Sequence, residues 1–248
     1  MTTILEAHPV NDTTSVNDTT RITFRELRER TFRTLRVLGA NSAQARAATE
    51  QVVFAELHHG TGLTELIDTL TAGPWNHVQL SRTKGPAEAW AVECPGAGHV
   101  SALRHGTGLL DLVAAEPQIT LIVHTGLTAF SALLDEPLAR AAMTTGRYLT
   151  VWEHTLCPSR IRTAALDGSV ASGTAHPEGA VAETLTALPQ GAVVIHNSEL
   201  PPAGSLIWRT AAEQRSRRHQ AATEGIFVHT SAWQRLGAIA QNFLVPEQ

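Results

Sequence analysis

Residues 23–26 predict the start of a helix, and this segment constrains the fold more than any other part of the sequence. Thr23 and Glu26 have the spacing of a capping box, in which a hydroxyl and a carboxylate satisfy backbone N–H groups at a helix N-terminus. Apolar residues follow at helical spacing as far as Leu38, and Gly39 predicts the end of the helix. An amphipathic helix is therefore expected over this stretch.

A second helix is predicted directly after the first. Ser42 is the expected N-cap, the apolar face runs to about Leu57, and Gly60 and Gly62 are expected to end the helix. Two consecutive helices separated by a short break predict an N-terminal helical hairpin over residues 21–72.

Beyond the hairpin, apolar β-branched runs alternate with helical patterns. Strands are predicted at residues 89–92, 119–124, 148–153 and 193–196, and helices at 101–115, 131–145, 207–223 and 231–243, the last capped by Thr230 or Ser231. The fold class is therefore α/β (mixed α+β), with a central sheet and flanking helices. We expect a disordered tail over 1–20 and a single domain over 21–248, with a sheet core at 85–200 and C-terminal helices at 205–248.

Composition excludes several classes of function. The 248 residues are 43% hydrophobic, which is enough for a sizeable core, and a net charge of −4 argues against nucleic acid as a partner. No apolar run is long enough to span a bilayer and no export leader is visible, so no membrane partner and a cytoplasmic location are expected. Cys94 and Cys157 are far apart and lack metal-ligand spacing, which predicts free thiols.

The sequence also lacks the short motifs of common catalytic sites. It contains no G-x-G-x-x-G, P-loop, H-E-x-x-H, C-x-x-C or G-x-S-x-G pattern. No metal site, dinucleotide loop or activated nucleophile is therefore predicted from local spacing.

Several segments, in order, resemble the malate/L-lactate dehydrogenase-like oxidoreductases, NAD(P)-dependent enzymes without a Rossmann domain. Residues 55–63 (AELHHGTGL) stand where that family has A-D-L-R-G-x-D-S-H-G-V, whose His is its catalytic acid/base. Residues 123–151, 159–177, 188–191 (LPQG) and 200–236 resemble later family segments. The resemblance implies a reduced version of that family's fold, with an active-site cleft built between two subunits of a homodimer.

The chain departs from the family at the positions that carry its chemistry. Thr125, Gly126 and Thr128 stand where Asn, Ser and His are expected, and no G-T-N-P, D-M-A-T-S or K-G-Y-G segment is found. Because hydride transfer needs a bound nicotinamide and a proton donor beside it, we expect no cofactor and a degenerate, non-catalytic relative.

Six residues at the ends of elements that match the family's active-site segments are predicted to approach one ligand-binding cleft. They are His58, His59, His124, Trp152, Glu153 and His154. Simpler roles remain open for each: solvation or capping of a helix C-terminus for the adjacent histidines, a structural hydrogen bond for a histidine at a strand end, and core packing for a tryptophan.

Three classes of function remain open at this point. The favoured one is a dehydrogenase-like pseudoenzyme that binds a peptide or peptide-derived metabolite and assists a partner enzyme in biosynthesis. The second is an enzyme, either an NAD(P)H-dependent reductase or a cofactor-free isomerase or cyclase with relocated histidines. The third is a structural subunit that pairs with a full-length relative.

Overall fold

The computed structural model describes residues 18–71, 75, 81–85, 89–93, 100–116, 119–124, 126–155 and 158–244. Cys94, Cys157, Thr125 and most of the predicted tail lie outside the described residues, so the predictions for them stay predictions. The last two residues of the predicted tail begin strand β1 (Thr19–Ile22).

The predicted N-terminal hairpin is present, with one correction at its second cap. Helix α1 (Phe24–Val37) begins with the predicted capping box, since the Thr23 hydroxyl accepts from the Glu26 backbone N–H and the Glu26 carboxylate accepts in return. Helix α2 (Ser42–His59) is capped by Asn41 instead of Ser42. The prediction placed the cap one residue late because both side chains can accept such a bond.

The two glycines at the end of α2 have different roles. Gly60 ends the helix in the left-handed conformation, with φ 70°, as predicted. Gly62 begins helix α3 (Gly62–Thr71) instead of ending α2. A Cβ atom at position 62 would lie 2.1 Å from the Val52 carbonyl oxygen, so only glycine lets α3 start this close to α2.

The centre of the molecule is an eight-stranded mixed sheet, which confirms the predicted fold class. Its strands are β2 (Ser81–Lys84), β3 (Trp90–Glu93), β4 (Leu121–Val123), β5 (Tyr148–Glu153), β6 (Ser159–Ala164), β7 (Val170–Ala175), β8 (Val193–Ser198) and β9 (Gly204–Arg209). The spatial order is β2-β3-β4-β8-β5-β6-β7-β9, and every pair is antiparallel except β3–β4. Strand β8 therefore lies between β4 and β5.

Helices, a ribbon of two strands and two 3-10 turns complete the described part of the fold. The remaining elements are α4 (Ala102–Ala115), a short 3-10 turn (Ala132–Leu134), α5 (Asp135–Thr145), α6 (Gly179–Thr186), α7 (Ala211–Glu224), β10 (Ile226–His229), α8 (Thr230–Ala240) and a final 3-10 turn (Gln241–Leu244). Strand β10 pairs with β1 in a separate antiparallel ribbon. Within the described residues, no helix combines the length and the apolar character needed to cross a membrane.

Two predicted boundaries near the C-terminus are wrong. The helix expected from Ile207 begins only at Ala211, because Ile207–Arg209 belong to edge strand β9. Helix α8 begins at Thr230 with His229 as its N-cap, so neither predicted cap is the one used. Strands β6 and β7 and helix α6 were not predicted from the sequence.

The two faces of the sheet carry separate cores. The larger core packs helices α1 to α5 on one face, which we call the helix face, against residues such as Leu121, Val151 and Ile195. The smaller core lies on the opposite face, where α6 packs against Ile122, Ile161 and neighbouring residues. Alternate residues of each strand therefore serve different cores.

Candidate functional site

A cleft of about 980 Å³ opens where the helix layer ends short of β9. One wall is the C-terminal turn of α2, and the other is α7 together with β10. The floor is the end of the sheet formed by β7 and β9, where Ser172 pairs with Ile207 and Val170 with Arg209. Ile207 is 82% exposed although it lies on the helix face, because none of the described helices covers this corner.

A buried charged network lies beneath the α2 end of the cleft. His59 Nε2 is 2.6 Å from Asp135 Oδ2, and Asp135 also forms an ion pair with Arg162. Arg162 donates from Nε to the Ala129 carbonyl (2.8 Å) and from Nη2 to the Phe130 carbonyl (3.0 Å). With side-chain exposures of 1% for Asp135 and 5% for Arg162, both charges depend on these partners instead of on water.

The charge of Asp135 fixes how His59 is hydrogen-bonded. Burial alone would raise the pKa of Asp135, but the Arg162 charge and the hydrogen bonds from His59 and Arg162 outweigh it and lower that pKa. A carboxylate can only accept, so Nε2 of His59 carries the hydrogen and donates it to Asp135. Nε2 is then unable to accept from Arg209 Nη1, which lies 2.8 Å away and brings a positive charge beside the imidazole.

Two arginines from the far wall bind the last carbonyl groups of α2. Arg209 Nη2 donates to the His58 carbonyl at 2.8 Å, and Arg217 Nε donates to the Leu57 carbonyl at 3.4 Å. The C-terminus of a helix carries partial negative charge and leaves carbonyls without helical partners, so cations are favoured there. These two arginines therefore supply positive charge at this helix end.

His58 is an uncharged part of the cleft wall. Its ring packs on Phe54 with centroids 4.3 Å apart. Burial, together with the nearby charges of Arg209 and His59, lowers the pKa of His58 to about 4. At neutral pH the imidazole is therefore neutral.

Both helix N-termini that border the cleft are already occupied by carboxylates of the chain itself. Glu56 accepts from the Leu63 backbone N–H (2.9 Å) at the start of α3. Glu213 accepts from the Thr210 backbone N–H (2.7 Å) at the start of α7. Both glutamates line the cleft, so an incoming phosphate would compete with a carboxyl group for each of these N–H donors.

The six predicted site residues do not share one cleft. His58 and His59 line it, but Trp152 packs in the smaller core on the opposite face of the sheet. Glu153, its neighbour in β5, lies on the helix face, where its carboxylate accepts from the Thr128 hydroxyl (2.7 Å) and the Ala129 N–H (3.0 Å). The expectation of a common cleft is thus wrong for Trp152.

The two strand-end histidines also lie away from the cleft. His154 Nδ1 is 3.2 Å from the Pro189 carbonyl oxygen, beside the loop that leads into β8. His124 follows β4, which is separated from β7 by three strands in the order of the sheet. Neither residue lines the cleft.

Sequence reasoning missed the residues that organise the site. Asp135, Arg162 and Arg209 are separated from their partners by 27 to 150 positions, and no local spacing marks them. Within the described part of the chain, no group of three or more His, Cys, Asp or Glu residues is arranged to hold a metal ion.

Comparison with solved structures identifies the class of fold. The chain is similar to malate dehydrogenase from Entamoeba histolytica, with a TM-score of 0.58 and 9% identity over 93% of this chain and 99% of that chain. Malate dehydrogenase from Pyrococcus horikoshii gives a TM-score of 0.58 and 12% identity, with 94% and 98% covered. Sulfolactate dehydrogenase from Methanocaldococcus jannaschii gives 0.58 and 11%, with 90% and 97% covered.

No family model matches the sequence, and no curated protein matches it. The structural likeness therefore carries the classification: this chain has a malate/lactate dehydrogenase-like fold. At identities of 9% to 12%, the likeness defines the fold and leaves the activity to be argued from the site.

Proposed function

We propose that the protein is a non-catalytic, dehydrogenase-like binding protein that holds a peptide or peptide-derived metabolite in the cleft and assists a partner enzyme. The observation that carries this proposal is the free edge of strand β9 beside the cleft. Among the described strands, β9 ends the sheet and pairs only with β7. Its outer backbone groups are available to an added strand.

The side chains of β9 suit this role. Natural edge strands are commonly guarded by charge or proline, whereas residues 204–208 (GSLIW) contain neither. Ile207 and the nearby Phe227 of β10 are 82% and 69% exposed, and both line the cleft. Trp208, which pairs with Ala171, alternates to the opposite face of the sheet and is 37% exposed there. An extended peptide in the cleft would gain both backbone hydrogen bonds and apolar contacts.

Charge in the cleft favours a ligand with a carboxylate at the inner end. Arg209 ends β9 and Arg217 faces it from α7, both bordering the same space. A peptide that runs along β9 towards Arg209 would bring its terminal carboxylate to these guanidinium groups.

The residues present do not fit a nicotinamide dinucleotide. Glu56 and Glu213 each already accept from a backbone N–H at a helix N-terminus beside the cleft. A pyrophosphate that bound at these N–H groups would have to displace the carboxyl groups and leave them without partners. We derive no hydride-transfer step for this reason, and we expect calorimetry to detect no micromolar binding of NADH or NADPH.

A second candidate function is a cofactor-free isomerase or cyclase, and the His59–Asp135 pair favours it. A buried carboxylate that orients an imidazole, with Arg209 2.8 Å from that imidazole, is an arrangement suited to proton transfer on an anionic substrate. In this case His59 would be the acid/base, and Asp135 and Arg162 would position it.

The peptide proposal can be tested by selection from a display library of random linear peptides. We expect N-methylation of a selected peptide to weaken its binding at every second residue, because every second backbone N–H of an added strand pairs with β9. Ile207→Ala should weaken binding by about 2 kcal/mol or more, as for an interface anchor. Leu200→Ala is the matched control, since Leu200 is 75% exposed but lies outside the cleft.

Two results would contradict the proposal. Peptides whose affinity is insensitive to N-methylation at every position would rule out strand addition. Turnover of a bound peptide without cofactor, lost in His59→Asn, would establish the enzyme candidate instead.

We also propose that the protein is a homodimer, as the family resemblance implies. Light scattering at micromolar concentration should give twice the chain mass. If Ile207→Asp converts a dimer into a monomer, the β9 edge belongs to the subunit contact and the peptide must bind elsewhere.

A further inference from the structure

A second cavity lies on the other side of α7 and has no part in the function proposed above. It has a volume of about 300 Å³, and Phe54, Ala139 and Met143 form its apolar wall. His58 contributes to both this cavity and the larger cleft. The cavity is large enough for a ligand of small-molecule size.

The acidic side chains on the wall of this cavity have close polar partners, whereas two of its arginines do not. Its two acidic side chains are engaged: Glu136 with Arg140 at 3.5 Å, and Asp167 with the backbone N–H (2.8 Å) and hydroxyl (2.9 Å) of Ser169.

Two arginines on the same wall lack such close partners. Arg215 and Arg218 also line the cavity and are exposed, and neither forms a direct hydrogen bond or ion pair with a described residue. Their charges act on the two acidic residues only at longer range, Arg218 on Glu136 and Arg215 on Asp167. Three positions apart on α7, they share one face of the helix. His58 is neutral at pH 7 because burial lowers its pKa to about 4, so it adds no charge of its own.

We propose that this cavity is a second ligand site, which binds a small apolar molecule that carries one carboxylate. The apolar body lies against Phe54, Ala139 and Met143, and the carboxylate lies between Arg215 and Arg218. Guanidinium groups match the planar carboxylate through paired N–H donors, and burial of the apolar body supplies the remaining affinity. A neutral ligand would use the wall but leave both arginines unpaired.

Calorimetric titration with octanoate, and with octanamide as the uncharged probe of the same shape, tests this proposal. We expect octanoate to bind at least about tenfold more tightly than octanamide, the effect of one charge-assisted contact. The double variant Arg215→Gln/Arg218→Gln should abolish this preference. Arg46→Gln/Arg235→Gln, which removes two exposed arginines that do not line the cavity, should retain it and controls for the loss of net charge.

Two further variants locate the probe. Met143→Glu places a like charge on the apolar wall and should abolish octanoate binding, whereas Ile207→Ala in the larger cleft should leave it unchanged. Circular dichroism checks that each variant is folded. Equal affinity for the two probes, full octanoate affinity in the double arginine variant Arg215→Gln/Arg218→Gln, or loss of binding in Ile207→Ala alone would each overturn the proposal.

Discussion

Helices α2 and α7 form opposite walls of the same cleft, yet they are held in place by different forces. In α2, ten of eighteen residues are buried, so the helix is fixed on nearly all sides. In α7, Ala221 alone of fourteen residues is buried. Hydrogen bonds from Arg209 and Arg217 to the last carbonyls of α2 tie the α7 side of the cleft to the α2 side.

The difference indicates which wall can adapt to a ligand. Moving α2 would disrupt the main core and the buried Asp135–Arg162 pair, whereas moving α7 breaks a few exposed hydrogen bonds. Local opening free energies are lowest where few apolar contacts are buried. We therefore expect α2 to present a rigid surface and α7 to set the width of the cleft.

The largest effect is expected from the charged network below α2. Asp135→Ala leaves the Arg162 guanidinium buried without its partner, and this should lower the free energy of unfolding by about 3–5 kcal/mol in urea titration. The control, Asp111→Ala, removes an exposed partner of Arg140 and should cost less than about 1 kcal/mol. A cost for Asp135→Ala as small as that of the control would show that α2 is not anchored by this pair.

Truncation of one side chain on each wall compares the two helices directly. Leu57 on α2 is 4% exposed, and Leu57→Ala should lower the free energy of unfolding by about 2–5 kcal/mol through lost burial and the remaining cavity. Gln220→Ala on exposed α7 should change it by no more than about 0.5 kcal/mol. Equal costs for the two variants would remove the contrast between rigid and adaptable walls.

A smaller effect should be confined to α7. Thr210→Ala removes the hydroxyl that accepts from the Glu213 backbone N–H at 3.2 Å, and loss of such a cap costs about 1 kcal/mol. Because α7 has little tertiary support, its amide hydrogens should exchange faster in this variant while those of α2 keep their rates. Faster exchange in both helices would show that they open as one unit.

The last effect, which is absent at neutral pH, is a pH dependence at His58. Its folded-state pKa of about 4 lies below the usual value of 6.5, so between pH 6.5 and 4 the unfolded state binds the extra proton. Stability should therefore fall as the pH is lowered through this window, and the fall should be smaller in His58→Gln. Burial also lowers the pKa of His105 and His196, so part of the slope should remain. An identical slope in wild type and variant would contradict the neutral state of His58.

Short sequence patterns that span a few residues mark the starts of α1 and α7 in this chain. Thr23 and Glu26 predicted the start of α1 correctly, because a capping box is completed within one turn. The same Thr-x-x-Glu pattern occurs at Thr210 and Glu213 and marks the start of α7, so the boundary predicted at Ile207 is too early. A capping pattern therefore locates this helix start better than the composition of the segment does.

The grouping of Trp152 with Glu153 shows a second limit. Successive side chains of a strand point to opposite faces, so these neighbours serve the smaller core and the helix face respectively. Period-two alternation alone predicts their separation once the strand is recognised. Which of the two faces carries the cleft depends on where the helices pack, and the sequence does not indicate this.

The sequence by itself determined the N-terminal hairpin, the alternation of strands and helices, and the glycine that ends α2, because these features depend on hydrogen bonds and periodicities within a few residues. The tertiary structure alone decided the site. His59 meets Asp135 across 76 positions and Arg209 across 150, and these contacts exist because the packing of α2 and α5 and the placing of β9 at the sheet edge bring distant charges together. Burial then makes each charge depend on its partner, since a carboxylate or guanidinium away from water is stable only when it is paired.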